Sequence, residues 1–190
     1  KSAIRIVRLS ADSLAYSHPK YRSRQFTDDE GRLHLAFDHD IALAVLERPL
    51  DKAVPPQKIA ASNEPIKDGQ KLIVYGYGRP VDWDVSIYSP PGRRNLTLQR
   101  GAMIGSKDYF HDRMYIRADS KSAICQGDSG GPAFSMTKKG PVVVGLNSAS
   151  ASLQKLDGSR GYNTCIGRGL MQPVAPAREW IDQVLLEIGK

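Results

Sequence analysis

The sequence predicts an all-β protein with one helix at its C-terminal end. Three observations predict it. Short apolar runs recur along the 190 residues, most of them four to seven residues long or shorter. Clusters of Gly, Pro, Asn and Asp separate those runs, as turns between strands require. Apolar residues at helical spacing are confined to the end, at Trp180, Ile181, Val184, Leu185 and Ile188.

The elements follow in order. Ile4-Arg5-Ile6-Val7-Arg8-Leu9 alternates apolar and basic residues, so it predicts a half-exposed strand. Ile41 to Leu46 is a continuous apolar run, which predicts a strand buried on both faces. Ala60 to Gly69, with Asn63 and Pro65, reads as a connection between two barrels. Further strands are expected at 72–75, 96–98, 114–117, 133–134 and 142–146. The C-terminal stripe is expected to pack onto the second barrel.

Composition sets outer limits. Charged residues make up 25% and apolar residues 41%, the balance of an ordinary soluble globule. The length suits one good-sized domain or two small ones. No apolar run approaches membrane-spanning length, and no signal peptide is visible. The net charge of +7 is spread along the chain, with short clusters near Lys20-Arg24, Arg93-Arg94 and Lys138-Lys139. A solvated basic surface accounts for it; affinity for acidic polymers is the sharper alternative. No nucleic-acid motif, cofactor motif or metal-ligand pattern is present. Asn95-Leu96-Thr97 is a glycosylation sequon.

The chemistry concentrates in Cys125-Gln126-Gly127-Asp128-Ser129-Gly130-Gly131-Pro132. Gly127, Gly130 and Gly131 free the backbone to turn sharply and to approach a ligand. The backbone N–H groups of Gly127 and Ser129 are then able to converge on one oxyanion while the Ser129 hydroxyl attacks a carbonyl. Gly127-Asp128-Ser129-Gly130-Gly131 also fits the looser Gly-x-Ser-x-Gly elbow of α/β-hydrolases. That fold needs its histidine after the serine. All four histidines, His18, His34, His39 and His111, precede Ser129, which excludes the elbow. A subtilisin-like order formally allows His111, but nothing around Ser129 matches that family's serine segment.

The octapeptide resembles the nucleophile segment of trypsin/chymotrypsin-like serine endopeptidases. Asp40-Ile41-Ala42-Leu43 resembles the segment bearing that family's catalytic aspartate. In the family's template the acid precedes the nucleophile by about 93 residues; here 129 − 40 gives 89. The likeness continues along the chain. Lys1 to Leu9 resembles the strand after the catalytic histidine, and Tyr16 to Tyr21 the His-Pro-x-Tyr loop. Tyr75-Gly76-Tyr77-Gly78 stands for the family's Gly-Trp-Gly, with Tyr for Trp. Val142 to Ser148 resembles the cleft-lining strand, and Pro176 to Ile188 the C-terminal helix. The resemblance implies a two-barrel chymotrypsin-like fold with the first barrel incomplete. Residues 1–63 would be the remainder of that barrel, and 64–190 the second barrel with its helix.

The implied machinery lacks its base. The template places the histidine about 45 residues before the aspartate, which falls before Lys1. His18, His34, His39 and His111 all read as solvent-facing. His39 in particular, next to Asp40, would point to the opposite face of a strand. The base is therefore expected from a missing or separate N-terminal chain, and the chain alone is expected to be inactive. Asp128 is the residue that would pair with a newly formed N-terminal ammonium in an activated zymogen. Cys125 and Cys165 would pair as a disulfide, implying a secreted protein, with the periplasm as the alternative compartment. The other disulfides frequent in animal members lack cysteines here. By the same likeness the specificity pocket comprises Ala123, Ile124, Ser148, Ser150 and Gly169. With no acid at the floor, small to medium uncharged apolar side chains are expected. The expected partners are a polypeptide substrate and a protein inhibitor, with no nucleic acid and no membrane span. The alternatives are an inactive homologue acting as a binding module, or an esterase with the same apparatus.

Overall fold

The computed structural model describes residues 15–27, 33–46, 49–50, 55–64, 66, 69–76, 92–100, 114–117, 124–125, 127–151 and 168–189. The strand expected at 4–9 lies outside them. The described residues are mostly strands, followed by one short C-terminal helix. Eleven strands are present among the described residues: β1 (Ala15–Ser17), β2 (Arg22–Thr27), β3 (Leu33–Asp38), β4 (Ala42–Ala44), β5 (Lys58–Ile59), β6 (Lys71–Gly76), β7 (Gly92–Arg100), β8 (Met114–Arg117), β9 (Pro132–Thr137), β10 (Gly140–Ala151) and β11 (Arg168–Pro173). A 3-10 turn at Ala175–Ala177 leads into α1 (Arg178–Ile188).

Strands β6 to β11 close on themselves. The hydrogen-bonded order runs β11-β8-β7-β6-β9-β10, and β10 pairs back onto β11. This antiparallel barrel has no free edge in its main circuit, which is how closed β-structures avoid open ladders. Short β5 lies parallel on β10, with Ala60 N–H donating to Val143 C=O at 2.9 Å. Alternation decides which residues fill the barrel. Leu72 and Val74 of β6, Ala133 of β9, Val142 and Val144 of β10 and Met171 of β11 point inward. Ile124, Ile66, Ala60 and Ala175 complete that core. The segment expected as a connection is therefore pinned to the barrel: Ala60 is 1% exposed and Ile66 6%. On the outer face, Ile73, Tyr75, Pro132, Phe134 and Met136 line an apolar groove of about 430 Å³.

Residues 15–46 contribute two small sheets, β1 with β4 and β2 with β3, each antiparallel. They contradict one sequence expectation. The run from Ile41 to Leu46 is not buried on both faces: Ile41 is buried and Leu43 half-buried, while Ala42 and Ala44 are exposed. Strand β4 has β1 as its one partner among the described residues, so a single face is covered. That face joins a second core of Ile41, Val143, Val174, Ala177 and Ile181, with Leu43 and Trp180 against it. This core seats the residues around Asp40 on the outside of the barrel and on α1.

The helix stripe is narrower than its periodicity suggests. Ile181 and Val184 are buried, but Leu185 is 54% exposed and Ile188 38%. The helix contacts the barrel along one line of residues before its last turn leaves the surface. No helix among the described residues is long and apolar enough to cross a membrane.

Candidate active site

The nucleophile segment forms a tight turn between the barrel core and β9. Gly127 (φ 97°) and Gly130 (φ 77°) occupy the left-handed region, which residues with a Cβ rarely enter. Asp128 to Gly131 is closed by Gly131 N–H donating to Asp128 C=O at 3.0 Å. Positive φ at Gly130, the third residue, is the type II requirement. Gly131 is fixed by space instead. A Cβ there would lie 3.0 Å from the carbonyl oxygens of both Asp128 and Tyr75. Asp128 N–H is used inside the turn, donating to Cys125 C=O at 3.0 Å. The N–H groups of Gly127 and Ser129 make no bond among the described residues. Ser129 itself is exposed.

Strand β10 carries the link from serine to acid. Its register against β11 shifts between Asn147 and Ala149, which leaves Ser148 as the extra residue of a β-bulge. Bulges re-aim side chains in this way. Ser148 C=O accepts the Ser129 hydroxyl at 3.4 Å, and Ser148 Oγ donates to Asp40 Oδ2 at 2.6 Å. The two candidate catalytic groups thus meet on one residue, although 89 positions separate them in sequence. Gln172 of β11 fixes Asp40 from the other side, with Oε1 accepting Asp40 N–H at 3.0 Å. The other carboxylate oxygen of Asp40 has no partner among the described residues.

The histidines correct a second expectation. His18 does not face solvent: it is 7% exposed. Its ring stacks on His39 at 4.5 Å and meets Trp180 of α1 edge-on at 4.8 Å. His18 Nδ1 accepts Lys20 N–H at 3.2 Å, which places the ring proton on Nε2. Burial first, then the charges of His39 and Lys20, hold this imidazole below the usual histidine value. His39 is likewise half-buried, with Nδ1 enclosed and unpartnered, and it does not sit in a strand. Its φ of 51° and the bond from Ile41 N–H to His39 C=O at 2.8 Å place it in a tight bend that presents Asp40. Neither ring bonds to Ser129 or to Asp40. His34 lies in β3 opposite Phe26; His111 lies outside the described residues.

The other candidate residues divide between site and surroundings. Asp128 is 1% exposed, and its Oδ2 accepts Cys125 N–H at 2.9 Å. Among the proposed pocket residues, Ser150 pairs in register with Gly169. A Cβ on Gly169 would lie 2.8 Å from Ile124 Cδ1, so Ile124, Ser150 and Gly169 converge. Ile124 is 3% exposed and belongs to the barrel core. Ala123 and Cys165 lie outside the described residues. Cys125 is buried, and among the described residues no cysteine is free. No group of three or more metal-ligating side chains occurs among the described residues.

Three residues had no sequence signal for the part they take. Ser148 was read as pocket wall, yet it bridges Ser129 and Asp40. Gln172 and Asn147 support the acid and the nucleophile turn. Their contacts arise from a bulge and from strand pairing, and neither leaves a local pattern.

Comparison with known proteins bears on family and fold. The trypsin family model matches residues 6–181. Two solved structures of mutants of human heparin binding protein (CAP37) are similar in fold. The first has 21% identity and a TM-score of 0.56, covering 87% of this chain and 63% of that one. The second has 22% identity and a TM-score of 0.57, covering 77% and 59%. The chain therefore spans about 63% or less of the length of these two relatives. With its closed barrel, its C-terminal helix and a family match across most of its length, the chain belongs to the trypsin family.

Proposed function

We propose that this chain is the nucleophile- and acid-bearing part of a serine endopeptidase. The observation that carries the reading is the pair of contacts on Ser148, one to the Ser129 hydroxyl and one to Asp40. A serine hydroxyl is a weak nucleophile and needs an adjacent base. In this reading an imidazole sits between Ser129 and the other carboxylate oxygen of Asp40. It takes the Ser129 proton as the hydroxyl attacks the peptide carbonyl, and returns it to the leaving amine. Asp40 holds the imidazole tautomer and stabilises the imidazolium. The N–H groups of Gly127 and Ser129 stabilise the oxyanion, and water releases the acyl group from Ser129. Losing one such donor raises the barrier by about 3–4 kcal/mol.

The remaining assignments follow the same reading. Asp128, a buried carboxylate beside the nucleophile, is the residue this reading assigns to pair with an N-terminal ammonium on zymogen activation. Cys125 pairs with Cys165 across the pocket, in a secreted or periplasmic protein. Ile124, Ser150 and Gly169 give a narrow apolar pocket that accepts small to medium uncharged side chains. The physiological partners are polypeptide substrates and a protein inhibitor.

A panel of fluorogenic peptides, assayed with the complete assembly and with Ser129→Ala, tests the reading. Cleavage after small apolar residues, lost in Ser129→Ala, is expected. Fastest cleavage after Arg or Lys contradicts the pocket assignment. Turnover of small esters but no peptide indicates an esterase.

A second reading is a binding module on the protease fold. It is favoured by the absence of any histidine bonded to Ser129 among the described residues. No turnover by the complete assembly supports it.

A further inference from the structure

Asn147 is the polar residue in the barrel wall whose presence packing does not explain. It is 2% exposed, among the largest fully buried side chains. Its Oδ1 has no hydrogen-bond partner among the described residues. A buried amide oxygen without a partner is destabilising, and an apolar side chain of the same shape would avoid that penalty. The other end of the amide is engaged: Nδ2 donates to Asp128 C=O at 3.1 Å. The opposite orientation of the amide would set two oxygens against each other at that distance, so the assignment is fixed by chemistry.

The position of Asn147 gives that bond a purpose. Its own C=O accepts Gly130 N–H at 2.7 Å, and its N–H donates to Gly131 C=O at 2.9 Å. Asp128 C=O belongs to the peptide group before Ser129, and Gly130 N–H to the peptide group after it. Both groups flanking Ser129 therefore end on Asn147. A trans peptide is planar, with its C=O and N–H pointing in opposite directions. Turning Asp128 C=O inward to Asn147 turns Ser129 N–H outward. That N–H is one of the two donors assigned to the oxyanion. Gly131 N–H also holds Asp128 C=O, at 3.0 Å, but it belongs to the same glycine-rich turn. Asn147 is anchored in β10, within the barrel wall.

We infer that Asn147 is a positioning residue that aims the Ser129 N–H at the oxyanion by holding the Asp128–Ser129 peptide from the barrel side. This rests on the protease reading for its catalytic consequence, but not for its geometry. Asn147→Leu removes the donor and the unpartnered oxygen and puts a larger apolar side chain in their place. In the intact protein, its crystal structure is expected to show the Asp128–Ser129 peptide rotated away from its present orientation. In the complete assembly, kcat for a peptide substrate is expected to fall about tenfold to a hundredfold, less than or equal to the loss of a whole donor. KM is expected to stay within about twofold, because the pocket side chains are untouched. The rate of Ser129 phosphonylation by a phosphonofluoridate is expected to fall in parallel with kcat. Asn147→Asp, the same shape without the donor, serves if the leucine variant does not fold.

An unrotated peptide, or kcat and phosphonylation rates equal to those of the unsubstituted protein, overturns the inference. A purely structural role would shift the unfolding midpoint without the split between kcat and KM, and that result also overturns it. If the unsubstituted assembly neither cleaves nor labels, the protease reading fails instead. The crystal structure of the variant then still decides whether Asn147 sets the peptide.

Discussion

At the scale of single residues, the site rests on a few short contacts whose removal has distinct signatures. Asp40→Asn preserves shape but offers an imidazole the wrong hydrogen-bonding pattern. In the serine-protease template this change lowers kcat by about 10⁴, and a similar loss is expected here, measured on the complete assembly. Ser148→Ala deletes the 2.6 Å bond to Asp40. Hydrogen bonds to charged groups are worth about 1.5–3 kcal/mol; this pair is part-buried, so a loss of about 1 kcal/mol in urea denaturation is expected. Gly131→Ala drives a Cβ against two backbone carbonyls that have little room to move. It should destabilise the fold by about 1–3 kcal/mol and lower Ser129 reactivity. Ser129 and Asp40 were legible in the sequence because the chemistry requires their neighbours: glycines at φ 97° and 77°, and an apolar segment after the acid. Ser148, Asn147 and Gln172 were not legible, because each contributes through a partner distant in sequence.

At the scale of elements, the junction of β1, β4 and α1 carries a pH dependence. His18 stacks on His39 beneath Trp180, with Lys20 beside it and Asp40 next to His39 in the chain. The fold holds the His18 pKa below its unfolded value, mainly by burial. The unfolded chain therefore binds more protons in the interval between the two values. The contribution to stability is complete above about pH 6.5 and is lost as pH falls through the lowered folded value. Urea midpoints should drop between pH 7.5 and 5, and His18→Phe should flatten that slope. An unchanged slope in the variant contradicts the assignment. The barrel strands were legible because Leu72-Ile73-Val74 and Val142-Val143-Val144 are short apolar runs near glycines that mark turns. The β2–β3 hairpin was not, because Arg22-Ser23-Arg24-Gln25 carries no apolar pattern. Leu185 and Ile188 misled in the other direction. They fit the helical stripe, but α1 extends past the surface that would bury them.

At the scale of the whole molecule, a closed barrel supplies the rigid frame, and Ile41 with α1 fastens the acid-bearing segment to it. The serine and the acid come from opposite sides of that joint. Their alignment therefore depends on the second core of Ile41, Val143, Val174, Ala177 and Ile181. Ile181→Ala should lower stability by about 2–5 kcal/mol. It should lower activity at temperatures where the fold still holds, because the Asp40 segment loses its seat. Class and family were legible at this scale, since turn-separated strands and one octapeptide carry them. The closure of β10 onto β11 was not, because Arg168 to Pro173 shows no strand signal of its own.

The central claim is that Ser129 is an activated nucleophile when the base is present. It is tested most directly by treating the complete assembly with a phosphonofluoridate, then measuring intact mass and mapping the modified peptide. The account predicts one phosphonyl adduct per chain, on Ser129, formed much faster than in Asp40→Asn and absent from Ser129→Ala. An unmodified chain, or an adduct on another residue, would contradict it.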